Sequence, residues 1–371
     1  MSTFISVRRA GAAVLATALA ASLVAGTSSA QAVPGSSPAG RSATWLAHQL
    51  NDQGVIHNAQ YKFDDYGLTI DTAFALSAIG GHRTDVARAR TALSKHVDDY
   101  TTGASFGSTA VFSGAIAKLL SFVQQTGGGA RHFGGSNLVT SLDDRVITSG
   151  PSTGRIQDVE DPANFITDSA NTIGQLFAAR GLLAAGDDQA PSVLKFLLAQ
   201  QCGKGYFRLG FNSDKNASDQ GCASGDASDA DVTALAVIEL APVAAGHPNL
   251  QAALGDATRW LKRQQGDNGS LHGGAPGDPV NSNTTGLAGW AFLTEGTCGA
   301  ARQAAGWIAG LQVRGDVSGT PLAGETGAIA YDRAALKLAK QDGIDKTARD
   351  QWRRAGAQAA PALLALSSCR S

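Results

Sequence analysis

The chain has 371 residues, of which 43% are hydrophobic and 16% are charged, and this apolar content excludes general disorder and predicts a sizeable core. Lys and Arg number 30 against 31 Asp and Glu, so the net charge is −1 and the basic surplus of a dedicated nucleic-acid binder is absent. We therefore expect a folded protein that binds no nucleic acid.

The N-terminal segment has the features of an export signal. Arg8 and Arg9 precede an apolar run, residues 10–25, that is too short to span a bilayer comfortably. Ala30 and Ala32 then fit an A-x-A cleavage site. The segment therefore predicts a secretory signal peptide, and a membrane anchor is the alternative interpretation.

These features divide the chain into three parts. We expect a signal peptide over residues 1–32, a flexible leader rich in Pro, Gly and Ser over residues 33–41, and one domain over residues 42–371. No later stretch is as long and as uninterruptedly apolar as a membrane span requires, so none is expected after cleavage. The sequence thus predicts a secreted, extracellular protein.

Export to an oxidising compartment gives the four cysteines an expected role in disulfides. Four cysteines permit three pairings. We favour Cys202–Cys222, which would staple a polar loop, and Cys298–Cys369, which would hold the C-terminus, at about 2–4 kcal/mol each. Cys-x-x-Cys pairs and Cys/His pairs with ligand spacing are absent from the sequence, so no metal site is expected.

Along the chain, a first module recurs in which an aromatic residue is followed by Gln four residues later and then by a glycine turn. Positions four apart share a face of a helix, so the aromatic side chain can pack inward while Gln bonds free backbone groups at the helix end. The copies are Trp45 to Gln49, Phe196 to Gln200 and Trp260 to Gln264, with a looser copy from Trp307 to Gln312.

A second module consists of a polar residue, Thr and a small residue before a helix rich in Ala and Leu. The polar side chain would cap the helix, and a helix that is apolar on nearly all sides is expected to be buried. The copies are Asp71-Thr72, Asn171-Thr172, Asp231-Val232-Thr233, Asn283-Thr284-Thr285 and Glu325-Thr326, with a weaker copy at Ser108-Thr109.

Amphipathic helices are predicted between the buried ones, whereas strand signals are nearly absent. Two helices per repeat can stack as an open superhelix or close into a ring, and six repeats without polar end caps favour closure. We therefore predict an all-α fold, a six-repeat (α/α)6 toroid with buried inner helices and amphipathic outer helices. The outer helices are expected near residues 42–51, 84–99, 136–145, 189–201, 248–265 and 299–312, with a last helix near 346–366.

With these modules in view, residues 42–366 resemble the α/α-toroid superfamily. That superfamily includes squalene and oxidosqualene cyclases, protein prenyltransferase β-subunits, thioester domains of the complement type and cobalamin carriers similar to transcobalamin. More narrowly, the chain looks like secreted actinobacterial proteins with prenyltransferase/squalene-oxidase repeats. The resemblance implies the fold more strongly than a function, because the superfamily contains both enzymes and binding proteins.

The resemblance to type II terpene cyclases depends on their acidic D-x-D-D-T-A motif, whose middle Asp protonates the substrate. Asp229 and Asp231 match the first two acids, and Val232 replaces the last. Asp231 would then be a general acid supported by Asp229, although an Asp at this place is also an ordinary helix cap. The zinc pattern of prenyltransferases and the C-G-E-Q of thioester domains have no intact match here.

The starts of the buried helices are expected to meet at one end of the ring. Their free N–H groups and positive dipole ends favour anionic or polar ligands, and the walls below either leave an apolar cavity or are filled by Phe and Leu. The expected ligand-binding residues are those of the second module: Asp71, Thr72, Asn171, Thr172, Asn283 and Glu325.

Three functions are compatible with these observations. The leading hypothesis is a secreted, non-catalytic protein that uses the end of the ring to bind a small hydrophobic or anionic ligand or an extracellular partner. The first alternative is an enzyme resembling a type II terpenoid cyclase, with Asp231 as general acid. The second alternative is a structural component of the cell envelope. No cofactor is expected in any of these cases.

Overall fold

The computed structural model describes residues 35–369, so the predicted signal peptide over residues 1–32 lies outside the described residues. The described chain is mainly helical, with one antiparallel pair of short strands, β1 (Ile56–Asn58) and β2 (Phe63–Asp65). Its α-helices are α1 (Pro38–Ala47), α2 (Tyr66–Ile79), α3 (Arg83–Leu93), α4 (Val97–Thr101), α5 (Ser113–Gln125), α6 (Leu138–Asp143), α7 (Thr172–Ala185), α8 (Ala190–Ala199), α9 (Ala230–Leu240), α10 (Pro248–Gln264), α11 (Ser282–Thr294), α12 (Cys298–Ala309), α13 (Arg333–Asp342), α14 (Arg349–Ala359) and α15 (Ala365–Ser368).

Helices α2, α5, α7, α9, α11 and α14 pack side by side, in that order, and α14 packs back against α2. These ring helices run parallel, because the first turns of neighbours meet one another. Gly114 of α5 lies against Gly174 of α7, and Arg354 of α14 binds Asp65, which precedes α2. All ring helices therefore begin at the same end, which we call the mouth.

The remaining long helices lie outside the ring. Helices α1 and α3 pack on α2, α6 packs on α5, and α8, α10 and α12 pack on α7, α9 and α11, respectively. Most ring helices are apolar on nearly all sides and are buried accordingly, for example α9, in which Val232, Ala234, Ala236 and Val237 are fully buried. The fold is thus an α/α toroid, as the sequence predicts.

The sixth ring position differs from the prediction. No helix begins at the Glu325-Thr326 module, and the next helix, α13, starts only at Arg333. Residues 313–330 form turns instead, and Gly324 and Gly327 take positive φ values of 83° and 98°. The ring position belongs to α14, whose buried Trp352 and Gly356 face outward and whose arginines are more exposed. The predicted count of six sequence repeats is therefore not confirmed.

The second module is also shifted in register. Asn171 caps α7 by accepting hydrogen bonds from the N–H groups of Ile173 and Gly174, as predicted. Helices α2 and α11, however, begin before Asp71 and Asn283 and are capped by Asp65 and Asn281. Asp71 and Asn283 are therefore not helix caps, and their side chains are free for another role.

Buried threonines anchor the segments before three of the ring helices, α2, α9 and α11. The residue four positions after the cap accepts a hydrogen bond from a backbone N–H of the preceding turn, which fixes that turn against the ring. The pairs are Thr69 with Ile56, Thr233 with Phe207 and Thr285 with Leu271, at 2.9, 3.0 and 2.9 Å.

The three full copies of the first module behave as predicted, whereas Gln312 of the looser copy binds Pro38 and Ser42 instead. In each full copy the Gln side chain donates a hydrogen bond to the carbonyl of the aromatic residue four positions earlier, which satisfies an end of the helix. The pairs are Gln49 with Trp45, Gln200 with Phe196 and Gln264 with Trp260, at 3.2, 2.9 and 3.5 Å.

The two ends of the described chain meet and close the circle. The Ser42 hydroxyl donates to the carbonyl of Gly327 (2.7 Å), and the Gln312 side chain donates to the carbonyl of Pro38 (2.7 Å). Helix α1 begins at Pro38, which lies inside the predicted leader over residues 33–41. The first helix is thus an integral part of the toroid.

Both predicted disulfides, Cys202–Cys222 and Cys298–Cys369, are present and confirmed, with Cα atoms 5.2 Å apart in each. The first joins two loop segments after α8. The second holds the end of the described chain against the start of α12.

Candidate functional site

The lumen of the ring is lined by two layers of side chains that are defined by their distance from the helix start. The outer helices cover the ring on its outside, so the more exposed side chains of the ring helices face the lumen or the mouth. Two positions after the cap, the upper layer consists of Gly67, Gly114, Ile173, Asp231, Asn283 and Asp350. Six positions after the cap, the lower layer consists of Asp71, Lys118, Phe177, Leu235, Leu287 and Arg354.

Asp229 and Asp231 have different roles at the start of α9. Asp229 is the cap, because its Oδ1 accepts a hydrogen bond from the N–H of Val232 at 3.0 Å. Asp231 lies in the first turn, in the upper layer, and makes no capping bond. The capping role therefore falls to Asp229, and the Asp231 carboxyl remains available at the mouth.

The loop before α11 holds these two carboxylates close together. The N–H of Ala230 donates to the carbonyl of Gly274 at 2.9 Å, which fixes the loop against α9. A Cβ atom on Gly274 would stand 2.8 Å from Asp231 Oδ2 and 3.0 Å from Asp229 Oδ1. Only a glycine therefore leaves room for both carboxylates at this place.

This setting favours the protonated form of Asp231. Burial raises the pKa of its carboxyl to about 6, the charges of Asp229 and Asp278 add to the rise, and the side chain of Thr284 opposes it. Burial also raises the pKa of Asp229, against the hydrogen bonds from the backbone. At mildly acidic pH, Asp231 can therefore carry and donate a proton.

Three neighbouring ring helices each present an unpaired oxygen in the upper layer. The Oδ1 atoms of Asp231, Asn283 and Asp350 are buried, and none has a hydrogen-bond partner within residues 35–369. The hydroxyl of Thr284 lies beside the Asp231 carboxyl, and its hydrogen bond lowers the pKa of that group. Buried polar atoms are normally hydrogen-bonded, so the Oδ1 atoms of Asp231, Asn283 and Asp350 represent unused acceptor capacity at the starts of three adjacent helices.

The lower layer is charged on one side of the ring. Asp71 pairs with Lys118 at 2.7 Å, and the Lys118 amine also donates to the carbonyl of Gly67 at 3.2 Å. Arg354 donates to Asp65 at 2.6 Å and to Asp350 at 2.8 Å. Helices α14, α2 and α5 thus form a charged wall, whereas α7, α9 and α11 contribute apolar side chains.

Aromatic side chains fill the lumen beside and below the charged wall. The rings of Phe74 on α2 and Phe177 on α7 stack with centroids 6.2 Å apart, and Phe122 meets Phe74 edge-on at 5.7 Å. Because α2 and α7 lie on either side of α5, the stacked pair crosses the lumen in front of that helix. A ligand at the mouth therefore rests on an aromatic floor.

A polar cluster lies deeper, near the ends of the ring helices. Glu239 lies 3.4 Å from the Arg180 guanidinium and accepts a hydrogen bond from Gln125 at 2.9 Å. Burial raises the pKa of Glu239 to about 7, and the charge of Arg180 opposes the rise. The cluster is separated from the mouth by the aromatic floor.

The expected ligand-binding residues occupy different places. Asp71 and Asn283 face the lumen, and Asn171 lies at the mouth as a cap. Thr72 and Thr172 are fully buried between helices, so they do not reach the mouth.

Glu325 lies beside the start of α14 but caps no ring helix. It accepts a hydrogen bond from the Trp45 indole at 2.7 Å and binds Arg349 at 2.8 Å, in a turn rather than at the start of a ring helix. These two contacts fix its position, so the prediction that Glu325 caps a helix at the mouth is wrong.

The sequence reasoning missed three lumen residues, Lys118, Asp350 and Arg354. Lys118 is a charged residue within an otherwise apolar helix, and this exception in the pattern could have indicated that it faces the lumen. Asp350 and Arg354 belong to α14, which is too polar to match the template of a buried helix.

No group of three or more His, Cys, Asp or Glu side chains within residues 35–369 could hold a metal ion. None of the helices in this part of the chain is both long enough and apolar enough to cross a membrane.

The sequence matches no family model and no curated protein. Among solved structures, a protein from Actinoplanes is similar with a TM-score of 0.59 at 17% identity, over 89% of this chain and 99% of that one. Unsaturated glucuronyl hydrolase from Bacillus sp. GL1 is similar with a TM-score of 0.57 at 12% identity, over 90% and 96%. The type II terpene cyclase MstE from Scytonema, in complex with merosterolic acid A, has a TM-score of 0.57 at 13% identity, over 90% and 97%. These likenesses establish the α/α-toroid fold.

Proposed function

We propose that the chain is a secreted enzyme that binds a sugar at the mouth of the toroid and uses Asp231 as a general acid. The observation that carries the proposal is the Asp231 carboxyl itself. It lies in the first turn of α9 at the mouth, its Oδ1 atom is buried without a partner among the described residues, and burial raises its pKa to about 6, so that it holds a proton at mildly acidic pH. A structural acid is normally paired, whereas an acid prepared for proton transfer is kept free and protonated.

The unpaired oxygens favour a ligand rich in hydrogen-bond donors. Asp231, Asn283 and Asp350 present acceptors on three adjacent helices, which suits the hydroxyl or amino groups of a sugar. Lys118 presents a donor on α5, across the ring, and Arg354 presents donors on α14, beside Asp350. A sugar carries both donors and acceptors, so it can satisfy both kinds of group at once.

The charges at the mouth narrow the class of sugar. The carboxyl groups around the lumen outnumber the two basic groups, Lys118 and Arg354. Taken alone, the helix dipoles would favour an anion, but these carboxylates oppose one at close range. A neutral sugar or an amino sugar therefore fits better than an acidic sugar.

The comparisons lend support to carbohydrate chemistry at the level of fold. Unsaturated glucuronyl hydrolase and a sugar epimerase from a ruminal bacterium share this fold over about nine-tenths of the chain. Export would also bring the enzyme to extracellular glycans, whereas prenyl substrates are made inside the cell.

A second candidate is protonation of a prenyl chain, as in type II terpene cyclases. The Asp229-x-Asp231 pattern and the raised pKa of Asp231 favour it. The charged wall of Asp71, Lys118 and Arg354 disfavours it, because an apolar chain would have to desolvate these groups without pairing them.

The test is turnover by the purified mature protein on neutral and amino oligosaccharides and on geranylgeranyl diphosphate, with products identified by mass spectrometry. We expect sugar turnover, reduced at least about 100-fold by Asp231→Asn, because a general acid contributes that much or more. The control is Asp316→Asn, an exposed loop acid that should leave turnover unchanged. Full turnover by Asp231→Asn would refute the role of Asp231. Consumption of the prenyl compound alone would favour the cyclase, and sugar binding without turnover would favour the non-catalytic hypothesis.

A further inference from the structure

A groove of about 900 Å³ runs across the rim of the toroid beside the mouth. One wall is the turn after α8 and the other is the loop before α9. Its lining includes Lys204, Tyr206, Asp226, Ser228, Trp260 and Pro276, and we call the cavity the rim groove.

The rim groove is built from firmly held parts. The Cys202–Cys222 disulfide joins its two walls. Across the same gap, the Tyr206 hydroxyl donates to the carbonyl of Asp226 at 2.6 Å, and Arg208 pairs with the Asp226 carboxylate at 2.7 Å. The walls are therefore cross-linked covalently and by hydrogen bonds, and the cavity exists before a ligand arrives.

The rim groove lies beside the acid pair. Ser228, in its wall, directly precedes Asp229. Pro276, at its edge, belongs to the loop in which Gly274 packs against the carboxylates of Asp229 and Asp231. The segments that form the groove are therefore the same segments that hold the two acids.

The lining suits a sugar chain. Tyr206 and Trp260 pack 5.4 Å apart at the base of the groove and are more than nine-tenths buried, while Lys204, Gln264 and Ser228 supply polar groups at its surface. A rigid groove with polar side chains above an apolar base matches the hydroxyl edges of a sugar chain.

We propose that the rim groove binds the second and following units of an oligosaccharide whose terminal unit occupies the mouth. This inference rests on the proposed function, and it adds that the substrate is a polymer or oligomer rather than a free monosaccharide. The disulfide then has a functional role, because it sets the width of the binding groove.

The test is calorimetric binding of glucosamine and its β-1,4-linked oligomers up to the hexamer, with the glucose series in parallel. Ala223→Trp places a large side chain at an exposed position in the groove wall. Ser218→Trp, exposed on the same loop outside the groove, is the matched control. Folding of each variant is checked by thermal unfolding.

We expect affinity to rise at least tenfold from monomer to tetramer in the unaltered protein and in Ser218→Trp, and this gain to disappear in Ala223→Trp. Monomer binding should be the same in all three proteins. Affinity that does not depend on chain length, or a full gain in Ala223→Trp, would overturn the inference.

The two proposals fail in different ways. Turnover that requires Asp231 but does not depend on chain length would support the proposed function and contradict the binding role of the rim groove. Binding that depends on chain length and on Ala223, without any turnover, would support the rim groove and contradict the proposed function. If no sugar of either series binds, both proposals fall.

Discussion

Gly274 packs so closely against Asp231 that a Cβ atom on this glycine would stand 2.8 Å from the Oδ2 atom of the carboxylate. The loop before α11 thereby excludes water from one side of the acid that we place at the centre of the mouth. The environment of Asp231 thus depends on a residue far from it in sequence.

Gly274→Ala should therefore disturb the acid pair more than the fold. The added methyl group displaces a carboxylate and removes water, so we expect a further rise in the pKa of Asp231 and a loss of about 1–3 kcal/mol in the free energy of unfolding. Carboxyl carbon NMR titration and denaturant unfolding measure the two effects. Gly210→Ala, where a Cβ meets no atom within 4 Å in the described structure, is the control and should change neither.

Asp231→Asn should stabilise the protein in a manner that depends on pH. The native pKa of about 6 lies above the ordinary value of 3.8, so the folded state holds its proton more tightly than the unfolded state. Stability is therefore lost as pH rises from about 4 to 6, by up to about 3 kcal/mol. The variant should match the unaltered protein at pH 3.5 and exceed it at pH 8 in denaturant unfolding. An equal difference at both pH values would contradict the burial argument.

Glu239 and Arg180 form the buried pair below the aromatic floor. Glu239→Ala should cost about 3–5 kcal/mol in unfolding free energy at pH 8, because it leaves the Arg180 charge buried without its partner. Glu239→Gln keeps an acceptor for the Gln125 side chain and should cost less. Equal losses in the two variants would mean that the missing negative charge alone, rather than packing or the hydrogen-bond acceptor, determines stability here.

Gly327 closes the ring against α1. Its φ of 98° is strained for any other residue, and a Cβ would overlap the carbonyl oxygen of Arg41. Gly327→Ala should therefore cost at least about 2 kcal/mol. Gly324→Ala is the matched control, because Gly324 has a φ of 83° with no atom within 4 Å of its Cβ position in the described chain. It should show the backbone strain alone, about 1 kcal/mol. Equal melting temperatures for the two variants would argue against tight ring closure at Arg41.

Several features of the site follow from local sequence. The capping of α7 by Asn171, the Gln side chains bound to aromatic carbonyls and the acids at the start of α9 are all contacts between residues close in the chain. Local spacing therefore predicts them. The two disulfides were also predicted. Of the three possible pairings, we favoured the one that joins Cys202 to its near neighbour Cys222 and holds the C-terminus through Cys298–Cys369.

The register of the ring helices could not be predicted in the same way. Asp71 and Asn283 resemble caps in sequence, but α2 and α11 begin five and one residues earlier, respectively. Which polar residue caps a helix depends on where the preceding turn is anchored, and Thr69 and Thr285 fix that point through contacts with distant residues.

The amino-acid sequence by itself determined the helical class, the alternation of buried and amphipathic helices and the disulfides, because these depend on residue spacing and on the chemistry of single side chains. Only the tertiary structure decided that α14 completes the ring and that Asp350, Lys118 and Arg354 face the lumen with Asp231. A helix that lines a wet mouth needs polar side chains, so its sequence resembles that of a surface helix. Its place in the ring is set by packing against helices that are hundreds of residues away.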